Sequence, residues 1–197
     1  MAFSLKQEIL RKLIHLSSFW IVGLIWVCPK ILAIILISLV TGFVLVTEYA
    51  AYKNAICARI YHILFSPVLR EKEKADVFGF SGAPYVLLAA LLLVILMPKV
   101  VAMFAISVLL LSDTMAALVG RALGRHRLIG KKTWEGTLAF LFVGFMICLI
   151  FYAGFGLPIG LAFLGVCLGC LGDLLNDYIH VDDNFSIPLL KALPFLF

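Results

Sequence analysis

The residues that could do chemistry in this 197-residue chain are concentrated in one stretch: Ser112-Asp113-Thr114-Met-Ala116-Ala117-Leu-Val-Gly120-Arg121-Ala-Leu-Gly124-Arg125-His126-Arg127-Leu-Ile-Gly130-Lys131-Lys132-Thr133-Trp134-Glu135-Gly136-Thr137. Asp113 lies near the end of an otherwise apolar run, where a carboxylate is costly unless it meets a cation, a metal ion or water. At helical spacing Asp113, Ala117, Gly120 and Gly124 share one face, with Ala116 flanking it, and such small side chains leave room for a bulky group beside the acid. A Gly-x-x-x-Gly contact between helices also accounts for Gly120 and Gly124, but not for Asp113. Arg121, Arg125, Arg127, Lys131 and Lys132 follow within the sixteen residues from 121 to 136. A basic loop of this kind is ordinary at the cytoplasmic edge of a membrane. Next to an intramembrane acid it also completes a triphosphate-binding inventory that needs no P-loop: carboxylate, divalent cation and Lys/Arg. Thr133 fits a helix N-cap with Glu135 in the first turn, and Trp134 fits an interfacial anchor.

A second acidic cluster runs from Gly172 to Asn184 and holds Asp173, Asn176, Asp177, His180, Asp182 and Asp183. Four aspartates with almost no compensating cation read either as metal ligands or as a hydrated loop, and Asp173 resembles Asp113 in closing an apolar span. Near the start, Glu8, Arg11, Lys12 and His15 fall at i, i+3, i+4 and i+7 on one helix face. They serve as snorkelling interface residues or reach toward phosphates. Glu48 is a further intramembrane acid, and His62 reads as interfacial. The alternating Arg70-Glu-Lys-Glu-Lys74 run reads as a solvated helix end, and Phe78-Gly-Phe-Ser-Gly82 as an interfacial turn. Cys167-x-x-Cys170 has redox or metal spacing but lacks a second ligand pair, and the five cysteines suggest no disulfide framework.

The elements that must position these residues are membrane helices. The composition is 64% hydrophobic and 14% charged, against about 45–50% and about 25% for a soluble domain. With a mean hydropathy of +1.14, no soluble core could hide that excess. Apolar runs place spans near residues 13–29, 31–50, 82–98, 100–120, 137–153 and 158–175, with a short seventh segment at 186–197. The expected architecture is therefore an all-α polytopic bundle of about seven membrane segments, forming one membrane-embedded domain over residues 1–197. Cys28-Pro29-Lys30, Met97-Pro98-Lys99 and Gly154 to Pro158 make short turns between antiparallel helices. Lys6, Arg11 and Lys12 ahead of the first apolar run resemble a signal peptide, but no small-residue cleavage site follows, so a retained helix is expected. With the N-terminus cytoplasmic, thirteen of the 16 Lys and Arg residues fall on that side, while Lys30 and Lys99 fall outside and Lys191 lies in the last segment. The net charge of +5 then reflects that bias, and no motif points to nucleic acid or a soluble NTPase. A small transporter would also suit intramembrane acids, but the ionisable groups cluster at one face instead of lining a transbilayer path.

The chain resembles the dolichol kinase and phytol kinase family, polytopic enzymes related to phosphatidate cytidylyltransferases. The likeness rests on Arg11-Lys12-x-x-His15, on Asp113-x-x-Ala116 through Gly120 and Gly124, on Lys131-Lys132-Thr133-x-Glu135-Gly136, and on Asp183-Asn184 followed by Ile187-Pro188-Leu189. It implies CTP as phosphoryl donor, a divalent cation such as Mg2+, and a membrane lipid alcohol as acceptor: a polyprenol, phytol, a shorter isoprenol or diacylglycerol. It further implies catalytic roles for Asp113, Lys132, Glu135 and Asp173. Nucleotide contacts are implied from Arg11, Lys12, Ala117, Gly120, Gly124, Arg125, Lys131, Thr133, Gly136 and Asn184. Metal ligation is expected from Asp113 with Asp173, Asp177 or Asp183. The cytidylyltransferases are the competing resemblance, since Lys132-Thr133-Trp134-Glu135-Gly136 and Gly172-Asp173 fit their pattern too. Against them stand the short spacing from Gly124 to Lys132 without a Ser-Pro before Lys-Thr, and Asn176 where that family usually has Glu. The expected location is a bacterial inner membrane, or a reticulum or plastid membrane in a eukaryote.

Overall fold

A computed structural model describes residues 5–65, 81–179 and 183–196. Arg70 to Lys74, Phe78 to Phe80, His180 and Asp182 lie outside the described residues, as do the side chains of His62, Asp177 and Asp183. The described chain is all-helical, with α1 Leu5–Ser17, α2 Trp20–Val27, α3 Lys30–Lys53, α4 Ala55–Phe65, α5 Gly82–Leu96, α6 Lys99–Ala122, α7 Trp134–Phe155, α8 Ile159–Ile179 and α9 Asp183–Ala192, then a 3-10 turn Leu193–Phe195.

Helix boundaries follow the local chemistry. Pro29 and Pro98 are the residues just before α3 and α6, both extended at ψ 148° and 147°. Proline suits a helix entrance because its missing N–H and fixed φ cost nothing there. Ser81 caps α5 by accepting from the Ala83 N–H, and Thr133 caps α7 by accepting from the Gly136 N–H. At the far end of α7, Gly156 adopts φ +66°, the left-handed turn that releases the chain toward α8.

Five stretches are long and apolar enough to cross a membrane by length and composition: Glu8–Val27, Lys30–Lys53, Lys99–Ala122, Trp134–Phe155 and Ile159–Asn176. The first joins α1 and α2 across a bend at Ser18. The expected third span is the shorter Gly82–Leu96, with 15 residues. The expected seventh segment differs most, because it forms only the ten-residue α9 and the 3-10 turn. It packs along α8 and against α5 and α6. Ile187, Lys191 and Ala192 are almost wholly enclosed. Apolarity at 186–197 thus reports burial against other helices over a length too short to span.

α6 is the axis of the bundle, touching α1, α2, α5, α7, α8 and α9. Its residues from Val101 to Leu110 are all buried, and Phe104 meets Phe151 and Phe195 edge-on at centroid distances of 5.6 and 6.1 Å. The outer helices present Trp26, Val27, Ile31, Leu39, Phe43, Phe142 and Ile150 outward, as expected of surfaces solvated by lipid. At the start of α6, the α2–α3 and α5–α6 hairpins clasp each other. Lys30 donates to the Met97 carbonyl (3.1 Å), while Lys99 donates to the carbonyls of Cys28 (2.7 Å) and Trp26 (3.2 Å).

Candidate active site

At the other end of α6 the polar residues converge. Glu8, Arg11, Lys12 and His15 do share one face of α1, and that face is turned to α6. Lys12 donates to the Asp113 carboxylate in a buried ion pair, and His15 Nε2 lies 3.7 Å from Asp113 Oδ2. Glu8 accepts from Arg11 (2.6 Å) and from Arg121 (3.5 Å), and so ties the start of α1 to the end of α6. Asp113 is only 4% exposed. A carboxylate at that depth is tolerable when a cation is hydrogen-bonded to it, and removing either partner leaves an uncompensated charge.

One helical turn beyond Asp113, the small residues of α6 admit the start of α7. A Cβ on Gly120 would lie 3.0 Å from Thr133 Oγ1 and 3.5 Å from the Gly136 Cα, and a Cβ on Gly136 would lie 2.7 Å from the Ala116 carbonyl oxygen. The glycines therefore work as a helix contact, and that close approach is also what shapes the adjoining cavity.

The segment from Leu123 to Thr133 is a compact turn. Arg127 and Thr133 form an antiparallel bridge. Leu128 donates to the Lys132 carbonyl and Lys132 to the Ile129 carbonyl, both at 2.9 Å, and Trp134 donates to the His126 carbonyl at 3.0 Å. Gly130, at φ +55°, supplies the left-handed residue that the reversal requires. Glu135 holds the turn from the α7 side, accepting from the backbone N–H groups of Arg125 (3.1 Å) and His126 (3.3 Å) and meeting His126 Nδ1 at 2.9 Å. The result delivers Lys131 and Lys132 to the bundle, where Lys132 Nζ pairs with Asp173 Oδ1 of α8 at 2.5 Å.

Between these elements lies a cavity of about 270 Å³ lined by Glu8, Arg11, Ala116, Ala117, Gly120, Arg121, Lys131, Lys132, Thr133, Gly136, Thr137 and Asp173. Its charged lining comprises four cations and two acids, so the field inside favours an anion. The volume is near the lower end of the roughly 300–1,000 Å³ typical of small-ligand pockets.

Of the residues singled out from sequence, the structure brings Arg11, Ala117, Gly120, Lys131, Lys132, Thr133, Gly136 and Asp173 onto this lining; Asp113, one turn before Ala117 on α6, and Lys12 pair with each other off the lining. Arg125 is exposed and outside the lining, and Glu135 braces the turn instead of facing the cavity. Gly124 packs against Thr133, and Asn184 sits on α9 next to Gly82 of α5. Four lining residues, Glu8, Ala116, Arg121 and Thr137, lie outside the contacts that the resemblance implies, although Glu8 belongs to the α1 face that reaches toward phosphates and Arg121 to the basic loop. The signal for these two was present, since Glu8 shares the helix face of Lys12, and Arg121 follows Ala117 at i+4 on the face of the small residues.

Among the described residues, no three or more His, Cys, Asp or Glu side chains cluster to hold a metal ion. A magnesium ion bound together with nucleotide phosphates needs only one or two protein carboxylates. Asp113 and Asp173 supply that number, each with a lysine as its present counter-ion.

No protein-family model matches the chain, and no solved structure matches it either. Among curated proteins, an uncharacterized protein of Rickettsia prowazekii is 28% identical over 187 residues, covering 93% of this chain and 90% of that protein. The CTP-dependent diacylglycerol kinase 1 of Eremothecium gossypii is 26% identical over 222 residues, covering 97% of this chain and 67% of the relative. The phytol kinase of Synechocystis is 26% identical over 195 residues, covering 94% and 77%. These distant likenesses, each spanning nearly the whole of this chain, support a lipid kinase family for a protein with five apolar helices of membrane-crossing length.

Proposed function

We propose that the chain is a CTP-dependent lipid kinase that phosphorylates the hydroxyl of a membrane lipid alcohol at the cytoplasmic face. The observation that carries this reading is the pairing of two buried or nearly buried aspartates with lysines, Asp113 with Lys12 and Asp173 with Lys132, at a cavity that Arg11, Arg121 and Lys131 make cationic. The whole-length similarity to a protein named as a CTP-dependent diacylglycerol kinase supports CTP as donor. The excess of Lys and Arg at this end of the bundle supports the cytoplasmic assignment.

In this mechanism the triphosphate enters the cationic cavity, and Arg11, Arg121, Lys131 and Lys132 neutralise its oxygens. Phosphoryl transfer needs mainly alignment and charge stabilisation from the protein, which such a set provides. Asp113 and Asp173 would hold magnesium, which supplies neutralisation of charge on the phosphates. Gly120 and Gly136 let α6 and α7 come close enough to shape the lining between them. The lipid hydroxyl oxygen attacks the terminal phosphorus in line, the bond to the bridging oxygen breaks, CDP leaves, and the hydroxyl proton is released to water.

The deciding experiment incubates the purified protein with CTP labelled either at the terminal phosphate or in the cytidine, together with diacylglycerol, phytol, a polyprenol and a shorter isoprenol. Terminal label on a lipid is the expected result. Cytidine label on phosphatidate would make the protein a cytidylyltransferase, and ion flux in nucleotide-free liposomes would make it a transporter.

A further inference from the structure

Lys191 has no role in the mechanism above, yet it is the most deeply enclosed charged residue described. It is 0% exposed, and its Nζ has no hydrogen-bond partner among the described residues. Its stem lies in a slot on α8 made by two glycines one turn apart. A Cβ on Gly169 would collide with Lys191 Cε, and one on Gly165 with the Lys191 carbonyl oxygen. The Nζ lies 5.1 Å from the centre of the Phe140 ring of α7. An aromatic face attracts a cation most strongly where water is excluded. The stem runs along α8 from the level of Gly165 to that of Gly169, and Asp173 stands one turn further on the same face; burial pushes the Lys191 ammonium down to about 7, with the carboxylates of Asp113 and Asp173 working against that shift. A buried ammonium without a hydrogen-bonded partner is expensive to keep. Methionine would fill the same slot at little cost, so packing alone does not account for lysine.

The two carboxylates are the groups that need such a charge. At present Lys12 and Lys132 neutralise them. Lys132 lines the cavity, so a phosphate ligand competes for it, while the glycine slot and the Phe140 ring give Lys191 no path to follow. We propose that Lys191 is a positioning residue, a fixed counter-charge that stays with Asp113 and Asp173 when Lys132 turns to the phosphates. This rests on the lipid kinase reading for its catalytic consequence, but the electrostatic link itself does not.

The test has two arms on the full chain in detergent or nanodiscs. The first is a double-mutant cycle in melting temperature with Lys191→Met, Asp113→Asn and Asp173→Asn. Neutralising an aspartate should cost several degrees with Lys191 present and distinctly less in the Lys191→Met background; strictly additive shifts overturn the proposal whatever the enzyme does. The second arm is kinetic. Lys191→Met should lower kcat about tenfold or more with the KM for CTP changed less than about twofold, a split that general loosening of the fold does not produce. Unchanged kcat in Lys191→Met overturns the positioning role even if the melting shifts are coupled. If Lys191→Met does not insert, Phe140→Leu keeps the charge but removes its aromatic seat, and should lower kcat severalfold with the same KM; a wild-type kcat there overturns the proposal. Coupled melting in a wild-type protein that transfers no phosphate removes the kinase reading and leaves the counter-charge standing.

Discussion

α3 and α6 are 24 residues each, both enter from a Pro-Lys turn, and both are apolar enough to cross a bilayer. Yet 78% of the apolar window of α6 is buried inside the bundle, against 17% for α3. The difference lies in which residues interrupt the apolar run. α6 carries Ser107, Ser112, Asp113, Thr114, Ala116, Ala117 and Gly120, and the small ones let α7 come close while Asp113 draws in Lys12. α3 carries bulky Phe43, Val46 and Leu39 facing out. In lipid, apolarity alone creates no preference for the interior, so small and polar residues decide which helix becomes the axis.

Each helix also bears an acid toward the same end, and the two acids should behave differently. Asp113→Asn should abolish phosphate transfer, by about a thousandfold or more, and lower the melting temperature because Lys12 loses its buried partner. Glu48 of α3 instead accepts from the Ser81 N–H (3.0 Å) and hydroxyl and from the Tyr61 hydroxyl (3.1 Å), so it fastens α3 to α4 and to the start of α5. Glu48→Gln should cost about 1–3 kcal/mol of stability with kcat within a few-fold of wild type. Equal kinetic loss in both variants, measured by initial rates with labelled CTP, would erase the distinction.

Glycines sharpen the same contrast. Gly120→Leu should unseat α7 and obstruct the cavity, lowering both melting temperature and CTP affinity. A Cβ added to Gly42 of α3 would meet nothing within 4 Å, so Gly42→Leu should leave both within error. The aromatic pair bears on stability alone. Phe104→Ala, at 0% exposure, should cost about 3–5 kcal/mol, since the cavity left behind has no lipid to fill it. Phe43→Ala, at 70% exposure, should stay within about 0.5 kcal/mol. Thermal unfolding of the two variants side by side checks this.

The membrane class and the position of most helices were legible because backbone groups in lipid must bond internally, and that leaves long apolar runs as an unmistakable trace. The last segment was not, because hydropathy cannot separate a lipid-facing run from one enclosed by neighbours, and at α9 it is the glycines of α8 that do the enclosing. The face of α1 and the small-residue face of α6 were readable from helical spacing. The direction of Arg125 was not, since it depends on the turn bridged by Arg127 and Thr133 and held by Glu135. Lys191 left a trace that spacing could have caught: a lone cation in an apolar segment, with Gly165-x-x-x-Gly169 opposite.

That braced turn also bears on the entropy of binding. A loop that must be ordered by its ligand loses backbone freedom at the moment of binding, at roughly 1–2 kcal/mol for each residue fixed. Here the bridge, the left-handed Gly130 and the Glu135 grip have already restricted residues 125 to 134 during folding. An arriving polyanion therefore meets cations whose backbone is set, and little of its interaction energy is lost to arranging them.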